Sequence, residues 1–346
     1  MASQHHLAKT AAALTAGVVA LLLLAFIATW RARVPAAATA PAPSVALHDA
    51  AFDPEPITPL PQTVALDPAK VALGAKLFHD ARLSHDDSVA CATCHPLDHA
   101  GVDGRRTARG IANQVGAINT PTVFNSGFNF AQFWDGRAAT LEEQAAGPVH
   151  NALEMGSNWP EVVSKLKQDH YYRNAFRHLY GGITATAIKD VIATFERSLI
   201  TSDCRFDRYL RGDKTALGER ELQGYRLFKE LGCASCHQGV NIGGNLYAGL
   251  GAFGNFFADR GKDGPEDQGR FNVTGNEAHR HFFKVPSLRN VARTAPYFHD
   301  GSVATLDEAI RLMGKYQLGR ELSDTEIGLV ADFLRTLTGN YQGEPL

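Results

Sequence analysis

Apolar positions recur at helical spacing along most of the chain. From about Asp67, the residues Val71, Leu73, Leu77 and Phe78 fall near i, i+3 and i+7, which predicts an amphipathic helix. Leu217, Leu222, Tyr225, Leu227 and Phe228 form a second stripe, and further helices are predicted at 159–167, 188–199, 306–313 and 325–337. The last opens with Ser323-Asp324-Thr325-Glu326, a capping box. Strand patterns are scarce, and Gly-rich segments such as Gly243-Gly244-Asn245 and Gly249-Leu250-Gly251 read as loops. The pattern predicts a mostly α protein. Residues 11–30 depart from it as an uncharged run centred on Leu21-Leu22-Leu23-Leu24, long enough to span a bilayer. Residues 1–34 are therefore expected to hold a single N-terminal transmembrane helix or, because Ala36-Ala37-Ala38 follows as a small-x-small site, a cleaved signal. Residues 35–66, rich in Ala and Pro, predict an extended tether.

The 346 residues leave room for about two domains. A net charge of −2 gives no reason to expect a nucleic acid partner. Four of the five cysteines sit in Cys91-Ala92-Thr93-Cys94-His95 and Cys233-Ala234-Ser235-Cys236-His237. Two thiols three apart can form thioethers with the vinyl groups of a haem, and the adjacent His supplies an imidazole to the iron. A redox dithiol would not need the His, and zinc would need two more ligands at comparable spacing. Two covalently bound haem c groups are the reading, with His95 and His237 as iron ligands. The fifth cysteine, Cys204, has no His or Cys nearby and reads as an inert thiol. Lys9 before the apolar run and Arg31 and Arg33 after it would put the chain in the cytoplasm. Haem attachment to C-x-x-C-H outside the bacterial inner membrane overrules that. A periplasmic protein anchored to the inner membrane is expected.

The repeat extends beyond the haem motifs. Pro121-Thr122-Val123-Phe124-Asn125 returns as Pro286-Ser287-Leu288-Arg289-Asn290, Phe133-Trp134-Asp135-Gly136 as Phe298-His299-Asp300-Gly301, and Thr140-Leu141-Glu142-Glu143 as Thr305-Leu306-Asp307-Glu308. All three pairs share one offset of 165 residues. Two tandem cytochrome c-like haem domains follow, at 67–201 and 202–346. In the second, Met313 stands before the closing helix, where a thioether ligand is expected. Carried back by 165 residues it becomes Pro148, which cannot ligate iron. The haem of His95 is then open on one face, whereas His237/Met313 is closed and suited to electron transfer. A gapped alignment pairing Met155-Gly156 with Met313-Gly314 would close both. Near Pro148 stand Gln144 and Glu154, an amide and a carboxylate placed to orient bound peroxide and to move its proton.

These motifs, with Asn119-Thr120-Pro121-Thr122, Phe133-Trp134-Asp135-Gly136-Arg137, Glu154-Met155-Gly156 and Thr294-Ala295-Pro296-Tyr297-Phe298-His299-Asp300-Gly301, resemble the bacterial dihaem cytochrome c peroxidases from about 67 to 339. The resemblance implies that the N-terminal haem reduces hydrogen peroxide and that electrons enter through the C-terminal one. It gives Glu154 as catalytic acid–base, Gln144 as its pocket partner, Met313 as sixth ligand and Trp134 as a group between the haems. It also implies one calcium ion at the domain junction, held by Asn119 and the carbonyls of Thr294 and Pro296, and an assembly that is often a homodimer. The electron donor is left open among a small cytochrome c, a cupredoxin and membrane quinol. One departure stands out. The family's blocking His would fall near Ile111, yet no His occurs between 101 and 119; His150 is the alternative blocker. A related enzyme lacking that His, the methylamine dehydrogenase maturation enzyme, oxidises protein Trp residues and carries Tyr where this chain has Met313. A peroxide-driven oxidase of a partner protein and a plain dihaem electron carrier are the competing functions.

Overall fold

The first predicted stripe forms α1 (Pro68–Phe78), with Asp67 capping the amides of Ala69 and Lys70 and Pro68 opening the helix. In chain order there follow α2 (Cys91–Cys94), α3 (Leu141–Gln144), α4 (Ala146–His150), α5 (Trp159–Lys167), α6 (His170–Tyr180) and α7 (Ala185–Ser198). The remaining helices are α8 (Arg205–Leu210), α9 (Glu219–Glu230), α10 (Phe256–Arg260), α11 (Phe271–Thr274), α12 (Leu306–Gln317) and α13 (Asp324–Arg335). Among the described residues, strands are confined to two short antiparallel pairs, β1 (Tyr247–Gly249) with β2 (Phe282–Lys284), and β3 (Asn340–Tyr341) with β4 (Glu344–Pro345). The computed structural model describes residues 55–346.

Two helix crossings build the two cores. Helix α1 packs on α7, and a Cβ on Gly74 would lie 1.9 Å from the Val191 carbonyl oxygen. Helix α9 packs on α13 in the same way, with Gly224 1.9 Å from the Leu329 carbonyl by the same construction. Only a residue without a side chain permits backbones to approach so closely. Around the first crossing lie Leu73, Leu77, Val162, Phe176, Ile188 and Val191. Around the second, Phe206, Tyr225, Phe228 and Phe333 make edge and tilted ring contacts.

The 165-residue repeat is also a repeat of backbone shape. Asn125 and Asn290 both adopt φ 61°, Phe133 and Phe298 φ 67° and 68°, and Gly136 and Gly301 φ 66° and 60°. The isolated bridge between Gln132 and Ala138 returns between Tyr297 and Val303. Thr140 and Thr305 each cap a helix through the amide three residues on. There the copies part. Helix α12 continues unbroken to Gln317, whereas its counterpart divides at Ala145 into α3 and α4. Pro148 has no N–H for the Gln144 carbonyl, and its ring crowds that carbonyl, which disfavours a regular helix through this turn.

The expected transmembrane helix requires correction. Among the described residues no helix is long and apolar enough to cross a membrane, and the run 11–30 lies outside them. The fold is mostly helical, without a membrane-spanning helix among its described elements. The stretch expected as a tether is described from residue 55. Its Ile57 and Leu60 are buried, the Pro56 carbonyl accepts from Gly239, and the Thr58 carbonyl from Arg289. Hydrophobic side chains within the Pro-rich segment thus dock it on the core that holds Phe206 and Phe333.

Candidate functional site: two haem seats and a distal carboxylate

Each C-x-x-C-H motif folds as one helical turn, capped at His95 in the first and at Cys236, just before His237, in the second. The His95 Nδ1 lies 3.0 Å from the Gly101 carbonyl, and the His237 Nδ1 lies 3.4 Å from that of Ile242. A carbonyl can only accept, so Nδ1 carries the hydrogen and the Nε2 lone pair is left for a metal. Each ring also meets a second carbonyl, that of Pro121 for His95 and that of Pro286 for His237. Burial holds His95 below its ordinary pKa and His237 at about 4, so both imidazoles are neutral, as ligation requires. None of the four motif cysteines is engaged in a disulfide. Among the described residues no three His, Cys, Asp or Glu side chains converge into a metal cage, which leaves the zinc alternative without ligands. The donor sets fit two c-type haems.

The broken helix ends in a tight turn, whose Glu154 charge bears on the Cys94 thiol. The Asn151 carbonyl accepts from the amides of Glu154 and Gly156, and its side chain donates 2.6 Å to Glu154 Oε1. Burial raises the Glu154 pKa, opposed by this hydrogen bond and by the charge of Arg137. Arg137 lies 3.5 Å over the Phe133 ring and pairs with Asp135 at 2.9 Å. Gln144 closes α3 half-buried, and no hydrogen bond joins it to Glu154 among the described residues. Met155 is buried with Val149 and Val162, while Met313 stands half-buried within α12.

The loop expected to carry a blocking His folds against this turn. The Ile111 amide donates 2.8 Å to the Glu154 carbonyl, and Gln114 donates 3.2 Å to that of Ala152. A Cβ on Gly110 would lie 2.1 Å from the Leu153 carbonyl, and one on Gly156 2.5 Å from Ile111 Cδ1. His150 is exposed, with its ring edge-on to Trp159 at 5.8 Å.

Trp134 and Asn119 meet where the two copies join. Trp134 Nε1 donates 3.1 Å to the Asn119 carbonyl, and the Asn119 amide donates 2.8 Å to the His299 carbonyl. The Asn119 side-chain nitrogen donates to the carbonyls of Arg105 and Arg106, so only its Oδ1 is left for a cation. Thr294 Oγ1 donates to the Val291 carbonyl, and no hydrogen bond links Thr294 or Pro296 to Asn119 among the described residues. A cavity of about 230 Å³ lined by His99, Ala100, Ala292, Arg293 and Ala295 opens beside them. Cys204 is buried as the cap of α8, and burial pushes its thiol up to about 12.

A family model described as di-haem cytochrome c peroxidase matches residues 68–215. The chain is 44% identical to the cytochrome c551 peroxidase of Nitrosomonas europaea over 83% of its own length and 85% of that protein. The chain belongs to the dihaem cytochrome c peroxidase family. It is also 49% identical to cytochrome c peroxidase Ccp of Escherichia coli K12 over 83% of its length, and the match spans 62% of that longer relative. Among solved structures it resembles a MauG-like protein associated with microbial copper homeostasis, with a TM-score of 0.73 and 28% identity. That likeness covers 82% of this chain and 93% of the other. Membership brings two c-type haems, in agreement with the two motifs. Asn151, which holds the Glu154 carboxyl, was not singled out from the sequence. The only signal for it was an Asn three residues before an acidic residue, and that spacing is common.

Proposed function

We propose that this protein reduces hydrogen peroxide to water in the periplasm. Electrons enter through the haem of His237 and Met313 and leave through the haem of His95. The observation that carries this reading is Glu154, a half-buried carboxyl of raised pKa at the broken helix, where the 165-residue register replaces a ligating Met with Pro148. The reaction consumes one peroxide, two electrons and two protons and yields two waters. The haems supply the electrons and a site for the substrate's near oxygen. The chain supplies the proton transfer. Glu154 takes the proton of the near oxygen and returns it to the far oxygen, which then leaves as water. Asn151 fixes the carboxyl for that exchange, and Gln144 is placed to orient the substrate. Glu154→Gln keeps size and polarity without the proton shuttle, and positioned acid–base groups contribute ~10²–10⁴-fold. Turnover with a reduced donor should fall within that range at unchanged haem content. Turnover near wild type would remove Glu154 from the mechanism.

The proposed halves are 67–201 and 202–346. Support for a boundary at Thr201 is that Asn125 and Asn290, equivalent by the repeat, both donate to Thr201 Oγ1, at 2.8 and 3.0 Å. Trp134 is proposed to carry electrons between the haems. Calcium at Asn119, Thr294 and Pro296 is proposed from their oxygen donors. Chelation should lower the thermal midpoint, and an unchanged midpoint would dismiss the site. The donor is proposed to be a small cytochrome c or a cupredoxin. A second reading, peroxide-driven oxidation of a partner protein, is favoured by the absence of His from 101–119. Peroxide-dependent mass changes in a co-purified partner would establish it, whereas donor oxidation at two electrons per peroxide supports the first.

A further inference from the structure

Lys284 ends β2 and is 8% exposed, yet no hydrogen bond, ion pair or ring contact reaches its ammonium among the described residues. Other buried cations in the fold are matched. Arg289 meets Asp207 at 2.6 Å, and Arg260 meets Asp267 at 2.6 Å and Asp300 at 2.8 Å. Burial alone pulls the Lys284 ammonium down to about 8. An isolated ammonium in an apolar setting is strongly disfavoured unless an anion accompanies it.

The surroundings specify that anion. The Lys284 amide donates 2.8 Å to the carbonyl of Trp134. Two residues on, the Pro286 carbonyl bears on the His237 imidazole, as the Pro121 carbonyl bears on His95. Lys284 therefore stands between the Trp134 segment and the strand that supports the second proximal His. Its cross-strand neighbour is Tyr247, whose hydroxyl accepts from Arg270 at 2.7 Å. Arg270 otherwise donates to the carbonyls of Asp135 and Gly136 and meets no carboxylate among the described residues. Asp135 is taken by Arg137, and His299, beyond Phe283, is taken by Asp267. None of these groups contacts Lys284. Lys284 thus pairs across the strands with the tyrosine that Arg270 meets, neither cation has a carboxylate partner among the described residues, and a haem brings two propionate carboxylates.

We propose that Lys284 is the counter-ion of a propionate on the haem held by His237, with Arg270 as the adjoining cation. This rests on the dihaem reading. A cation held at that carboxylate keeps it ionised and favours the reduced iron, because the added electron is partly compensated.

The test is a spectroscopic redox titration of the holoprotein at pH 6, 7 and 8, following the α band of the His237 haem in wild type, Lys284→Met and Lys284→Arg. Wild type should show one midpoint at all three pH values, because both partners stay ionised. Lys284→Met should lower that midpoint and make it fall further as pH rises, as the unpaired carboxylate begins to titrate. Lys284→Arg should keep the wild-type behaviour. A merely structural role would not move a potential or give it a pH slope. An unchanged midpoint in Lys284→Met would overturn the proposal. Should that variant not accumulate, wild type decides, because a slope near one proton per electron between pH 6 and 8 would show the carboxylate unpaired. A wild-type protein without a second reducible haem would overturn both this proposal and the reading beneath it.

Discussion

Glu154 differs from the other acids near it in lacking a full counter-ion. Asp135 has Arg137 at 2.9 Å and Glu142 has Arg197 at 2.7 Å, while Glu154 has an amide hydrogen bond and a more distant charge. Its carboxyl stays protonated to higher pH than an ordinary glutamate. Proton abstraction needs the ionised form, so turnover should have an acid limb at higher pH than an ordinary glutamate would give. Asn151 donates to that ionised form and holds the pKa down. Asn151→Ala should therefore move the acid limb upward and lower the maximal rate through loss of orientation. An unmoved limb in the pH profile would separate Glu154 from the titration. Neither Asn151 nor Lys284 could be recognised from the sequence. Their significance lies in what surrounds them, a carboxyl 2.6 Å away in one case and no partner in the other.

At the scale of elements, the helices easiest to foresee were those with caps and clean periodicity. Helix α5 matches its predicted bounds, and α13 begins one residue early behind its Ser323–Glu326 capping box. Helix α12 runs four residues past its predicted end, because Gly314 sits inside it, against Leu322, instead of stopping it. Helix α6 was missed. Its run of His, Tyr, Arg and Asn places only Tyr172 and Phe176 in the core, too few to announce a stripe. The β1–β2 pair was missed because three-residue strands have no readable alternation. Close helix crossings make a stability prediction. Gly224→Ala puts a methyl against the Leu329 carbonyl, and overpacking of this kind costs ~1–3 kcal/mol. A thermal midpoint equal to wild type would mean that α9 and α13 can separate freely. The loop beside Glu154 makes another. Ile111 packs on Gly156 and can ligate nothing. Ile111→His should introduce a nitrogen ligand and convert rapid cyanide binding by the oxidised protein into slow binding. Equal binding rates in both proteins would show that this loop does not reach the iron.

In the whole molecule, the two halves share a frame of turns and caps and differ in what is inserted between them, 159–180 in the first and 247–284 in the second. The copies share their capping threonines, their bridges and their left-handed Asn, Phe and Gly positions. The offset of 165 residues that exposes this was readable from the sequence, because each shared segment combines turn and capping residues that tolerate little variation. The consequence at Pro148 could also be read, since proline cannot ligate and disfavours a regular helix. The approach of Asn125 and Asn290 to one Thr201 hydroxyl could not, because it depends on how the copies pack. The central proposal is an unequal pair of haems, one left open near Glu154 and one closed by Met313. Rapid mixing of the fully oxidised protein with hydrogen peroxide, followed at the Soret band, tests it most directly. The high-spin Soret band of the His95 haem should shift at once without prior reduction, while the His237 haem stays low-spin. A protein in which neither haem responds until the second is reduced would contradict it.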